Sequence, residues 1–317
     1  MIKSNIRRFV KIAKEYGAHK AIIIYFLYTF RRKSSYITYL KKLFKTEFSD
    51  IINNYRNAPI DGKARTNKTV WCLWWQGLET APLIPKICIE SIKNNIPDDY
   101  KFVLLTEGNY EKYVKIPSSI MRKFRESKIT LTHFSDIIRQ YLLCEKGGVW
   151  IDATVYIPHK MPTGYFGPNS FWSIKTPSEK LDRKSYGQAI SRGDYAGFIL
   201  GGKTNSITLN FIKECTERYW EKHNSLIEYF IQITQIKIAQ ENISSANNEI
   251  ESYPINNPNV YELDRLMSIP YDEKMYKKIT SDTYLFKLSW KKEYLEEVDG
   301  RETFFGMIKR QHERTTR

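Results

Sequence analysis

HFSDIIRQYLLCEKGGVWIDATVYIP, residues 133–158, reads as an amphipathic helix, a glycine stop and a buried strand that ends on an acid. Phe134, Ile137, Ile138, Tyr141 and Leu142 recur at the spacing of a helix with one face in a core. Thr132 or Ser135 is the expected N-cap, and Gly147-Gly148 supply the positive-φ residues that end the helix. Val149-Trp150-Ile151 has the apolar, β-rich character of a strand covered on both faces. That strand carries Asp152 to its C-terminal end, where open α/β sheets place their ligand crevice. Asp136 and Arg139 are i, i+3 neighbours on the face opposite the apolar stripe, so two carboxylates and a guanidinium can meet at one crevice. Spacing alone favours a plainer account, a surface ion pair beside a strand-capping acid.

Around this stretch the chain alternates strand and helix. Val70–Trp74 reads as a first strand, Pro85–Asn94 as a helix and Tyr100–Thr106 as a second strand. Short helical stretches cover Tyr110–Lys115 and Ile120–Arg125. Farther on, Phe171–Ile174 and Leu285–Trp290 read as strands, and the segment Tyr195–Leu200 ends in Gly201-Gly202. A long helical region spans about 206–242, residues 244–259 form a polar loop, and Glu293–Lys309 a last helix. The alternation predicts an α/β domain with a mostly parallel central sheet.

The formal charge of +15 on 317 residues is unevenly placed. Residues 1–45 hold twelve Lys/Arg against one acid, Glu15. Three helices are expected there: one with Ile6, Phe9, Val10 and Ala13 on one face, an apolar one at Ala21–Phe30, and one from about Tyr36 to Tyr55. Basic helices with apolar faces suit an anionic membrane surface, and a helical hairpin packed on its own domain is the plainer account. The apolar run is too short to cross a bilayer and lacks a cleavage site, so no signal peptide or span is expected. Residues 57–68, with Pro59 and Gly62, mark a linker, dividing a helical extension (1–66) from a catalytic domain (67–317). Cys72, Cys88, Cys144 and Cys215 show no C-x-x-C pairing, as expected of free thiols in a reducing cytoplasm.

The runs S-D-I-I-R and G-G-V-W-I-D-A-T resemble the S-D-x-x-R…G-G-x-x-x-D-x-D signature of sugar-nucleotide glycosyltransferases. That signature is found in the glycosyltransferase 32 group and in the large clostridial glucosylating toxins. The same D-A-T variant occurs in bacterial capsular polysaccharide synthesis transferases. The resemblance covers about twenty consecutive residues, with weaker echoes from Val70 to Trp290. It implies a GT-A fold (Rossmann-like, helices on both sides of the sheet) and transfer of a hexose from a nucleotide sugar, a UDP-sugar, with retention. The implied acceptor is a lipid-linked oligosaccharide for capsular or surface polysaccharide, met at the cytoplasmic face of the membrane.

The same resemblance assigns roles. Trp74, in a W-W-Q-G setting like the family's W-x-G-G, would stack on the base, with Trp75 as the competing choice. Ser135 falls near the nucleoside, Asp136 and Arg139 on sugar hydroxyls, and Trp150 beside them in the donor site. Asp152 matches the first acid of D-x-D, and Thr154 replaces the second. A divalent metal, Mn²⁺ or Mg²⁺, is expected on Asp152, Thr154 and Ser289, with weaker affinity because a hydroxyl replaces a carboxylate. Leu288-Ser289-Trp290-Lys291 resembles the late S-W element that closes over the donor, with Lys287 or Lys291 offsetting phosphate charge. Glu228 and His223 are candidate acceptor-side groups, and His133 receives no role. A different class, a non-catalytic basic protein binding membrane or nucleic acid, also fits the charge map, as does a degenerate transferase. No nucleic-acid motif is present, and no nucleic-acid partner is expected.

Overall fold

The computed structural model describes residues 2–30, 32–56, 64–182 and 185–315; residues 57–63 of the expected linker lie outside them. Four helices come first: α1 (Ile2–Tyr16), α2 (Ala18–Thr29), α3 (Lys33–Glu47) and α4 (Ser49–Arg56). The central region runs β1 (Thr69–Leu73), α5 (Leu83–Asn95), β2 (Lys101–Leu105), α6 (Ser118–Arg125), α7 (Leu131–Lys146) and β3 (Gly148–Ile151). It continues through β4 (Val155–Tyr156), β5 (Phe171–Ser173), α8 (Tyr186–Ser191) and β6 (Ile199–Gly202). Helices α9 (Ile207–Lys222), α10 (Ile231–Asn242), α11 (Ser244–Glu251), α12 (Glu262–Leu266) and α13 (Glu273–Thr280) follow. The chain closes with β7 (Phe286–Lys287), the hairpin β8 (Glu297–Val298) and β9 (Arg301–Glu302), and α14 (Phe304–Thr315).

Five strands form the central sheet in the order β2-β1-β3-β6-β5. β1 is parallel to β2 and β3, and β6 is antiparallel to both β3 and β5. Four of the five strands therefore point the same way, the expected mostly parallel α/β arrangement. Helices flank the sheet, and β3 at its centre has Val149, Trp150 and Ile151 all buried. Burial on both faces is why this strand is apolar throughout and does not alternate.

The helix-to-strand junction at α7–β3 depends on its two glycines. Gly147 has φ +70° and Gly148 φ +100°, both in the region that favours glycine. A Cβ on Gly148 would lie 2.5 Å from the Thr69 carbonyl oxygen and 2.8 Å from Trp71 Nε1. Trp71 Nε1 itself donates to the Gly147 carbonyl at 2.9 Å, drawing β1 against the turn. The N-cap of α7 is Thr130, whose side chain accepts from His133 N. Thr132 and Ser135, the expected caps, lie inside the helix, because it starts one turn before its apolar stripe.

α1–α4 share one core with the sheet: Ile24, Phe44, Phe48 and Ile51 are buried in the same cluster as Trp150, Phe211 and Ile236. Several expected elements differ. The expected 206–242 helix breaks after Lys222, where Tyr219 Oη donates to Ser225 O and accepts from Ile227 N, stabilising a turn. Residues 244–251 form α11 despite their polarity, because Ala246 and Ile250 reach the core and Glu249 accepts from the free N–H groups of Ile207 and Thr208 at the start of α9. β6 runs through Gly201-Gly202, which pair with Val149 and Gly148. Only Phe286–Lys287 of the late strand is extended, and the last helix starts at Phe304.

Gly148→Ala is expected to lower unfolding stability by about 2 kcal/mol or more, read as a shifted urea midpoint. An unchanged midpoint would contradict the close approach of β1 to this turn.

Candidate functional site

A cavity of about 670 Å³ opens at the C-terminal ends of β1 and β3, between α7, α10 and the segment after β7. Arg139 reaches it from α7 and is only 4% exposed. Its Nη2 lies 3.1 Å from Asp136 Oδ1 and 3.1 Å from Asp152 Oδ1. Its Nη1 donates to the Gly197 carbonyl, and to Gln232 Oε1 at 3.0 Å. The guanidinium also lies over the Trp150 ring, 5.0 Å from its centroid. The face of α7 away from the apolar stripe is thus not a solvated face; it turns into the crevice.

Asp152 is the junction of the site. Oδ1 accepts from Trp150 Nε1 at 2.9 Å as well as from Arg139, and Oδ2 accepts from Lys287 Nζ at 3.2 Å. Lys287 Nζ also donates to Thr154 Oγ1 at 2.6 Å. The two-stranded β4–β7 pairing, with Val155 opposite Lys287, and the Leu288 N to Thr154 O bond of 2.8 Å bring it there. Burial pushes the Asp152 carboxyl up, but Lys287 and Arg139 outweigh it and hold the group below its ordinary value. Asp136 goes the other way: burial raises it from 3.8 to about 6, with Arg139 opposing and Asp152 adding to the rise.

Trp74 and Trp290 meet edge to face at the cavity mouth, with centroids 6.1 Å apart. Trp290 is 46% exposed, whereas Trp74 is half-buried and its Nε1 has no hydrogen-bond partner. Trp75 packs against Tyr110, Phe124 and Phe134, so of the two adjacent tryptophans Trp74 is the one with its ring free of that aromatic cluster. Ser135, Trp150, Thr154 and Ser289 also line the cavity, which brings every donor-site candidate from the sequence to one place.

Two candidates fall elsewhere. His223 is buried between Glu15 and Glu47, with Nε2 2.7 Å from Glu47 Oε1. Glu228 accepts from Tyr36 Oη and lies 3.7 Å from Arg8. Both join the N-terminal helices to the segment between α9 and α10, and neither lines the cavity. His133 holds Thr130 Oγ1 at 2.7 Å at the start of α7. Gln232, which steadies Arg139, carries no motif; only its position at the start of α10 identifies it.

The residues expected to hold a metal do not make a divalent site as they stand. Both oxygens of Asp152 already face cations or an indole N–H, and Thr154 Oγ1 faces the Lys287 ammonium. Among the described residues no three His, Cys, Asp or Glu side chains converge as ligands.

The fold and cavity define an α/β protein with a crevice, lined by aromatic and charged side chains, at the carboxyl ends of its parallel strands. The family model described as capsular polysaccharide synthesis protein matches residues 20–308, and the chain belongs to that family. No curated protein matches it. Among solved structures, one titled PaToxG Glycosyltransferase aligns over 80% of this chain and 98% of that chain, at 16% identity and a TM-score of 0.36.

The raised Asp136 carboxyl means that the folded chain holds this proton more tightly than the unfolded one. Stability drawn from that group is full below about pH 4 and is lost as pH rises through about 6. Relative to wild type, Asp136→Asn should therefore gain unfolding free energy between about pH 4 and pH 7, by at most about 3 kcal/mol. Urea titrations at several pH values check this; a pH-independent difference would contradict it.

Proposed function

We propose that this protein is a retaining glycosyltransferase of the glycosyltransferase 32 type, moving a hexose from a UDP-sugar to a lipid-linked oligosaccharide in capsule synthesis. The observation that carries this reading is the convergence of Asp136, Arg139 and Asp152 on one cavity. Membership of the capsular polysaccharide synthesis family supports the biosynthetic setting.

In this reading Trp74 stacks on the base and Ser135 contacts the nucleoside. Asp136 and Arg139 take sugar hydroxyls, a task suited to a carboxylate and a planar fork of donors. Trp150 supports Arg139 from beneath, and Asp152 anchors the cations that face the diphosphate. Ser289 and Trp290 close over the donor. The leaving phosphate oxygen accepts the acceptor proton as the new glycosidic bond forms on the same sugar face. The protein then contributes positioning and stabilisation of leaving charge.

The acceptor's lipid brings the N-terminal helices into the reading. Among the described residues no helix is long and apolar enough to cross a membrane. α1 exposes Ile6 and Val10, α2 exposes Ile22 and Phe26, and its C-cap residue Phe30 is exposed too, while Lys11, Lys14, Lys20 and Arg32 are exposed nearby in sequence. Apolar stripes with basic neighbours suit peripheral binding to anionic lipid on the cytoplasmic face.

Turnover of UDP-sugar should fall about 100-fold or more in Asp152→Asn and Arg139→Lys. Undiminished turnover in variants that remain folded would overturn the site. Phe26→Ser with Phe30→Ser should reduce co-sedimentation with phosphatidylglycerol-containing vesicles, and unchanged sedimentation would remove the membrane claim. The inner faces of these helices belong to the core, so the substitutions are confined to their exposed side chains.

A further inference from the structure

The position where a paired-acid motif would hold a cation already contains one. Lys287 Nζ bridges Asp152 Oδ2 at 3.2 Å and Thr154 Oγ1 at 2.6 Å, the first acid and the residue in place of the second. The ammonium is held from behind. Lys287 N donates to Val260 O at 2.8 Å, Leu288 N to Thr154 O at 2.8 Å, and the Phe198 ring lies 5.0 Å from Nζ. An ammonium has three donors, and these two contacts use two of them. The Lys287 side chain is 25% exposed and lines the cavity, so an anion there can reach the third. A carboxylate at 154 would add charge for a divalent ion, whereas the neutral Thr154 hydroxyl leaves Asp152 as the acid that faces both Lys287 and Arg139.

Resting on the nucleotide-sugar reading above, we propose that the Lys287 ammonium takes the place of the divalent cation, so that the donor diphosphate binds and reacts without metal. In the transfer step the bond between the anomeric carbon and the β-phosphate oxygen breaks, and the bond from that carbon to the acceptor oxygen forms. The acceptor proton passes to the departing phosphate. Lys287 stays protonated throughout and donates to the phosphate oxygen as its charge grows. Lys291, also on the cavity wall, provides a second cation at its mouth.

The test is calorimetric binding of UDP to the whole 317-residue chain, once in EDTA and once in millimolar Mn²⁺. The expected result is binding in EDTA with Kd within about threefold of that in Mn²⁺. Lys287→Met should weaken UDP in EDTA by about tenfold or more, and Lys287→Arg should retain most of the affinity. The wild-type comparison needs no variant and stands if Lys287→Met does not fold. UDP binding that requires Mn²⁺, or that is indifferent to Lys287→Met in a folded protein, overturns the role of Lys287 and leaves the transferase reading intact. No binding of UDP in either buffer overturns the UDP-sugar reading, and this proposal with it.

Discussion

Arg139, a guanidinium buried to 4% exposure, is the point from which the site is built: its two Nη atoms meet four partners, while Nε has no hydrogen-bond partner. An uncompensated buried charge costs several kcal/mol, so its partners are constrained in turn. Those partners come from four parts of the chain: Asp136 from α7, Asp152 from the end of β3, the Gly197 carbonyl before β6, and Gln232 from α10. The arrangement ties helix, sheet and the far helical layer to one atom group. It also divides two acids that are close in space. Asp152, facing Lys287 and Arg139, is kept ionised, whereas Asp136 has burial raising it with only Arg139 in opposition and Asp152 adding to the rise, and is held up to about 6.

The same economy of contacts explains the N-terminal helices. Their inner faces complete the core, and their polar groups meet His223 and Glu228 in the turn between α9 and α10. Glu47 and Glu15 flank His223, whose ring also stacks on Tyr16 at 4.5 Å. Those interactions fix the start of α10, where Gln232 supports Arg139.

Local signals were legible where one periodicity and one boundary residue agree. The α7–β3 stretch is such a case: its apolar stripe, its glycine pair and its strand-end acid each have one structural solution. The polar segment 244–251 shows the opposite. Only two of its residues reach the core, and its carboxylate caps a helix distant in sequence, so nothing in its own composition marks it as helical. The continuous helical pattern from 206 to 242 concealed a break, because the turn is held by the Tyr219 hydroxyl bonding the backbone of Ser225 and Ile227, a contact that apolar periodicity does not register.

The sequence by itself determined the α/β alternation, the membership of the crevice in Asp136, Arg139, Asp152 and Trp74, and the loss of the second acid at Thr154. The alternation follows from periodicity, which acts through neighbouring turns of the chain; the crevice residues and the missing acid rest on the resemblance to the transferase signature, since spacing alone favours a surface ion pair. Tertiary structure alone decided that Lys287 faces Asp152 and Thr154, that His223 and Glu228 serve the N-terminal helices, and that Gln232 supports Arg139. Each of those pairs joins residues some ninety or more positions apart, and chain-distant contacts are set by how layers pack, which no local pattern encodes.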